Sequence, residues 1–294
     1  MTAKNKKKKP RKRNAASVAT FSSKIRRLCI WLLTSGALAS QISSCGLNLH
    51  QQGGRPDLSA RRDTAASAQR GSGLSGFRHC PQFFAGGVAP RGPAGPKFRE
   101  LCYNSFAILH NGSTRTPVFV AERLNRQSLQ QAKGLARTDR FFADARLPGA
   151  ERAELADYSG SGFARGHMAP AADMPNAEAM AQSFSLANMV PQNQQHNSGA
   201  WARIEKDTRS YVMRARGDVY VITGPVFAAK TRAIGSGAVS VPSHIFKLVY
   251  DASTHRAWAH WQQNSELARP GKPISYGELE SRLGMELLPG VQID

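Results

Sequence analysis

Ser161-Gly-Phe-Ala-Arg-Gly-His167-Met-Ala-Pro170, then Asn188-Met-Val-Pro-Gln192, then Asn197-Ser-Gly-Ala-Trp-Ala-Arg-Ile-Glu205 are the three pieces around which the 294-residue chain is organised. The glycine-rich turn Ser159-Gly-Ser-Gly162 leads into an extended segment that ends at His167. From Asn197 onward the spacing predicts a helix start, with Trp201 and Ile204 on one apolar face. Asn197 and Glu205 stand eight residues apart. At 3.6 residues per turn that is an offset of about 80°, so both can face one site. Arg209 lies one turn beyond Glu205 and is spaced to pair with it. Taken singly, each residue has an ordinary explanation: a structural histidine, an asparagine N-cap at Asn197, and a surface ion pair worth little.

Together they supply what phosphodiester cleavage needs. Water must lose a proton for in-line attack, which a histidine near its ordinary pKa can accept. A divalent cation can offset charge on the phosphoryl oxygens, and arginines can brace the phosphate. The candidate arginines are Arg165, Arg209, Arg137, Arg140 and Arg146.

The three pieces, in this order, resemble the DNA/RNA non-specific endonuclease family, which includes secreted sugar-non-specific bacterial nucleases and mitochondrial endonuclease G. The family patterns are Asp-Arg-Gly-His, Asn-x-x-Pro-Gln and Asn-x-Gly-x-Trp-x-x-x-Glu, and all but the first aspartate, which is Ala164 here, match. The resemblance implies an α+β fold, with a central, mainly antiparallel sheet flanked by helices and a ββα-metal motif. It also implies a metal-dependent endonuclease acting on DNA and RNA with little sequence preference, leaving 5′-phosphates. In that reading His167 is the general base and Asn197 binds Mg²⁺ (with Mn²⁺ as the alternative ion). Glu205 holds the ion's waters, while Arg165, Arg209 and one upstream arginine, Arg140 ahead of Arg137, contact phosphate. The departure at Ala164 removes a carboxylate near the metal, which typically costs 10–100-fold in metal affinity or activity. Asp173 and Asp157 are the candidates to compensate. The rival function is a catalytically weakened nucleic-acid-binding protein at the cell surface.

The formal net charge is +20, and eleven of those charges fall between Lys4 and Arg27, leaving +9 for the remainder. The basic run precedes Leu28-Cys-Ile-Trp-Leu-Leu33 and small residues, the layout of a secretory signal peptide. The apolar run is too short to span a bilayer, which takes about 20 residues. Two processing alternatives stay open: cleavage after Ala39, or a lipoprotein box Ile42-Ser-Ser-Cys45 with membrane attachment through a lipidated Cys45. Either implies export to a periplasm, a cell surface or the medium. Cys80 and Cys102 are then a candidate disulfide, which requires an oxidising compartment.

Three regions follow: a basic tail and signal segment (1–45), a Gly/Ser/Gln-rich linker (46–78) that buries too little apolar surface to order itself, and a nuclease-like domain (79–294). Structure is expected to begin in earnest near Phe98. Tyr103–Leu109 and Thr116–Glu122 flank Asn111-Gly112 as a hairpin, with Pro117 at a strand start or edge. Asp218–Pro225 reads as a buried strand ending in a Gly-Pro turn, His244–Tyr250 with Arg256–His260 as a second hairpin, and Ile274–Leu283 as a capped helix.

Overall fold

In the segments Phe106–Asn111 and Thr116–Leu124 almost every side chain is buried, although successive residues point to opposite sides of a strand. Both faces therefore need cover. The computed structural model describes residues 76–294, and in it both faces are covered. Phe106, Ile108 and Val120 pack with Met168, Trp201 and Ile204 on one side. Ala107, Leu109, Phe119 and Ala121 pack with Phe77, Phe84, Leu279 and Leu287 on the other.

The strands are β1 (Phe98–Cys102), β2 (Phe106–Asn111), β3 (Thr116–Leu124), β4 (Phe163–His167), β5 (Met189–Asn193), β6 (Val219–Val226), β7 (Ala233–Ile234), β8 (Val239–Ser240), β9 (His244–Asp251), β10 (Arg256–Gln263) and β11 (Ile274–Ser275). The helices are α1 (Arg126–Gln131), α2 (Leu155–Tyr158), α3 (Ala177–Ser183), α4 (Gln194–His196), α5 (Ala202–Val212) and α6 (Tyr276–Leu283). Seven strands make one sheet in the order β1-β2-β3-β6-β9-β10-β11, with every neighbouring pair antiparallel. The β4–β5 pair forms a separate ribbon, as do β7 and β8. The fold is α+β, as expected.

Local chemistry accounts for most boundaries. Pro117 is the second residue of β3, and pairing of β3 with β6 begins only at Val120, so its missing N–H leaves no gap on that side. Asn125 caps α1 by accepting from Ser128 N, and Ser275 caps α6 by accepting from Glu278 N. Gly284, at φ 64°, ends α6 in the left-handed region that glycine adopts without penalty.

Two expectations are corrected. Gly224-Pro225 is not a turn but lies within β6, paired with Phe246 and Ile245 of β9. Close approach selects the glycine: a Cβ there would come within 2.5 Å of Val118 O and 2.7 Å of the Phe246 ring. Ordered structure also begins well before Phe98, in three short 3₁₀ turns between Phe77 and Gly87 whose Phe77, Phe83 and Phe84 are buried. These aromatics have no periodicity to reveal them.

A disulfide joins Cys80 to Cys102, with Cα atoms 5.9 Å apart, and fastens those turns to β1. For a loop of this size the loss of chain entropy in the unfolded state is worth about 3 kcal/mol. Reduction is therefore expected to lower the urea midpoint by a corresponding amount, and an unchanged midpoint would show that packing alone holds the turns. The basic tail, Ala39, Cys29 and Cys45 lie outside the described residues.

Candidate active site

Two units carry the motif residues: the β4–β5 ribbon and the helical run that begins at Gln194. In the ribbon Arg165 opposes Pro191, and His167 opposes Met189. Strand alternation sets Arg165 and His167 on one face and Ala164 and Gly166 on the other. On that second face Gln192 lies so close that a Cβ at residue 166 would be 2.1 Å from its Oε1. The glycine between the arginine and the histidine is thus imposed by the Pro-Gln pair of the next strand. Asn188, fully buried, holds the chain just beyond His167: its Oδ1 accepts from Ala169 N, and its Nδ2 donates to Ala169 O and Ser183 O, each at 2.9 Å.

His167 sits edge-on to Phe184, with ring centroids 5.0 Å apart, and 5.8 Å from Phe141. The Arg165 guanidinium lies 4.2 Å over the Phe141 ring and that of Arg137 lies 5.0 Å over Phe184. Two phenyl rings therefore carry the histidine between two cations. Burial pushes the His167 pKa down to about 3, and Arg137 adds to the effect while Asp139 opposes it. Its Nε2 is buried without a hydrogen-bond partner. The ring is consequently a neutral base at physiological pH.

Of the upstream arginines, Arg137 is the one that the ring stack brings to His167. Arg140, the residue that the family resemblance puts first, stands exposed on the loop, as does Arg137, whose Nε also donates to Asp139 Oδ1 at 2.6 Å. Arg146 is engaged elsewhere: it donates to Asp144 at 3.0 and 2.7 Å and to Cys102 O at 2.9 Å, and it stacks on Tyr103.

The helix begins earlier than expected. Asn193, not Asn197, is its N-cap, accepting from Gln195 N and His196 N at 3.0 Å. Asn197–Trp201 then form a π-helical turn before α5. A π turn accommodates one extra residue, so the eight steps from Asn197 to Glu205 rotate like roughly seven α-helical ones, about 700°, and the offset shrinks from about 80° to about 20°. The irregularity aligns the two side chains that a regular helix would separate.

Arg209 does not pair with Glu205 as expected. Its Nη1 donates to Asp173 Oδ1 at 3.0 Å, because the buried Asp173 approaches from the turn after β4. Asp157 is remote in role: it accepts from Glu154 N and Gly237 N as a loop clamp. Two site neighbours were not foreseen. Glu122 on β3 is fully buried with neither carboxyl oxygen hydrogen-bonded, and Lys247 on β9, also buried, donates to Thr223 Oγ1 at 2.8 Å and lies 5.7 Å from the Trp201 ring. Burial, then the charge of Asp173, holds the Glu122 pKa well above the carboxylate range, against the pull of Lys247. The available signal was a lone glutamate inside an apolar strand.

Burial also raises Glu205 to about 7, with Asp173 adding to the shift and Lys247 and Arg209 opposing it. A group raised in the folded state stabilises below its unfolded value, near 4.5, and that contribution is lost as pH rises through about 7. Without metal, Glu205→Gln is therefore expected to raise the melting temperature at pH 8 and to leave it nearly unchanged at pH 4. An equal effect at both values would show that the carboxyl is not perturbed.

Among the described residues no group of three or more His, Cys, Asp or Glu forms a metal cage. A Mg²⁺-like ion that keeps most of its water needs few protein donors, all oxygen. The half-buried Asn197 amide and Glu205 carboxyl, aligned on one helical face, fit such an ion.

Residues 90–292 match the family model described as DNA/RNA non-specific endonuclease. The mitochondrial nuclease EXOG of Xenopus laevis is 37% identical over 162 residues, 50% of this chain and 44% of that protein. Mitochondrial nuclease 1 of Schizosaccharomyces pombe is 33% identical over 207 residues, 66% of this chain and 62% of that protein. The chain thus spans only part of the length of these curated relatives. A crystal structure of the EndoG/EndoGI complex, described in terms of the mechanism of EndoG inhibition, superposes with a TM-score of 0.62 at 23% identity, covering 69% of this chain and 91% of that one. That likeness establishes the fold.

The expectation of export is corrected by these relatives, which are mitochondrial by name and point to that compartment rather than to secretion. The physical reason is that the first acidic residue of this chain is Asp57. A basic, acid-free, serine-containing start has the composition of a mitochondrial transit segment as well as of a signal peptide.

Proposed function

This chain belongs to the DNA/RNA non-specific endonuclease family, and from that premise we propose that its 79–294 region hydrolyses phosphodiester bonds of DNA and RNA in a metal-dependent reaction. The observation that carries the reading is the pairing of a neutral, unpartnered His167 with an aligned Asn197 and Glu205. Mg²⁺ is the proposed ion, with Asn197 as its protein ligand and Glu205 holding its waters. When bound it supplies positive charge to the phosphoryl oxygens and helps the leaving group depart.

The protein's own groups do the rest. His167 accepts the proton of the attacking water on its imidazole: burial keeps the free ring neutral, and the negative charge of a phosphate bound beside it raises its basicity toward the range a general base needs. Arg165 and Arg137, spread on Phe141 and Phe184, and Arg209, held by Asp173, present guanidinium groups to phosphate. Contacts to phosphate and sugar carry no base information, which accounts for cleavage with little sequence preference and for action on both nucleic acids. The products carry 5′-phosphates.

The test is incubation of purified protein with plasmid and with RNA in Mg²⁺ or EDTA. Cleavage of both in Mg²⁺ and of neither in EDTA is expected. Salt-sensitive binding without cleavage would replace the enzyme by a binding protein, the reading that Ala164 favours. Ala164→Asp separates the two further. Residue 164 lies on the Gln192 face of the ribbon, which Gln192 joins to His196, next to Asn197, by a 3.1 Å hydrogen bond, so a carboxylate there is expected to raise activity through the metal. Its half-saturating Mg²⁺ should fall by about 10-fold or more. An unchanged or weaker Mg²⁺ requirement would mean that the missing aspartate does not limit this site.

A further inference from the structure

A cleft of about 450 Å³ opens between α1 and α5, directly beside the proposed catalytic residues. Arg137 and Arg209 are among its lining residues, so it adjoins the proposed phosphate-binding groups. Its surface is of two kinds. Leu129, Leu135, Met180 and Met213 give it an apolar floor, while Lys133 and Lys206, both exposed, add two more cations at the rim. No acidic side chain lines it. Beyond it, around the end of α5, a second cleft of about 590 Å³ is lined by Arg126, Arg214 and Arg216, with Asp218 as its one acid.

An apolar floor under a cationic rim fits a flat, weakly polar ring joined to phosphates on both sides. We propose that the cleft between α1 and α5 is a nucleotide subsite that takes one unstacked base of a single-stranded segment, with the flanking phosphates on Lys133 and Lys206 and the strand continuing toward Arg214 and Arg216. This rests on the nuclease reading of the adjoining site and names the form of substrate that it engages. In a continuous duplex the base would have to leave its stack first, an unfavourable step of a few kcal/mol. Single strands, nicks and frayed ends are therefore the favoured substrates. The apolar floor takes any base, consistent with low sequence preference.

The test separates base from phosphate and does not depend on catalysis. Binding of a fluorescein-labelled single-stranded octanucleotide to the full chain in EDTA is compared with that of an octamer carrying abasic sites throughout. The intact octamer is expected to bind about 10-fold more tightly, within the range known for burial of single bases. The neutral, similarly sized pair Leu135→Gln with Met213→Gln should abolish that preference while leaving abasic affinity in place. Lys133→Gln with Lys206→Gln should weaken both oligonucleotides together and flatten the salt dependence by roughly 1.4 in log–log slope, as expected for two lost contacts to a single strand. Equal binding of intact and abasic octamers by the parent, or a preference that survives the Leu135 and Met213 changes, would overturn the subsite. Intact base preference with no cleavage in Mg²⁺ would instead sink the nuclease reading and leave the subsite standing.

Discussion

His167→Ala is expected to lower cleavage of DNA and RNA by about 10²- to 10⁴-fold, the usual contribution of a positioned general base. Nucleic-acid affinity measured in EDTA should stay within a few-fold of the parent, because Arg137, Arg165 and Arg209 remain. A simple packing role for the ring would also lower activity, since it sits against Phe141 and Phe184. Added imidazole distinguishes the two. In the alanine variant it can occupy the space left by the side chain and accept the proton, restoring part of the rate, most effectively above its own pKa. A variant that keeps near-parental activity, or that is inactive and not rescued while still folded, would remove His167 from the role of base.

Asn197→Ala is the second change with a large expected effect. Activity is expected to fall at least about 100-fold, as when a metal ligand is lost, with half-saturating Mg²⁺ raised in parallel. Gly199, two residues on in the same π turn, is exposed, and a Cβ there would meet nothing within 4 Å, so Gly199→Ala should be close to neutral. Parental kinetics in Asn197→Ala would remove Asn197 from the metal, whereas similar losses in Asn197→Ala and in Gly199→Ala would point to loss of fold.

These two cases mark what can be read from the chain alone. Residue identities with strong chemical or steric demands are legible. Arg-Gly-His matched with Pro-Gln is one, because Gln192 leaves room only for hydrogen at position 166. The hairpins β2–β3 and β9–β10 are another, since each reads as two short apolar runs on either side of a polar gap. What depends on packing between distant segments is not legible. Arg140 and Arg137 have the same chemistry and neighbouring positions, and only the placement of Phe184 brings Arg137 to the histidine. Arg209 pairs with Asp173 rather than with Glu205 one turn away, because the turn after β4 passes under the helix. The π turn leaves no mark in residue type, and the buried aromatics before Phe98 follow no period. Glu122 and Lys247 each look like a single polar residue on a strand until the sheet sets them under the same helix.

The central claim is that one site, using His167 and an ion held at Asn197, cuts either nucleic acid by the same hydrolytic route. The most direct measurement is single-turnover cleavage of one end-labelled sequence, made once as DNA and once as RNA, with analysis of the new ends. Mg²⁺-dependent cleavage of both, leaving 5′-phosphate and 3′-hydroxyl ends and lost in His167→Ala, is the expected result. Cleavage that persists in EDTA, or RNA products ending in 2′,3′-cyclic phosphate, would contradict it.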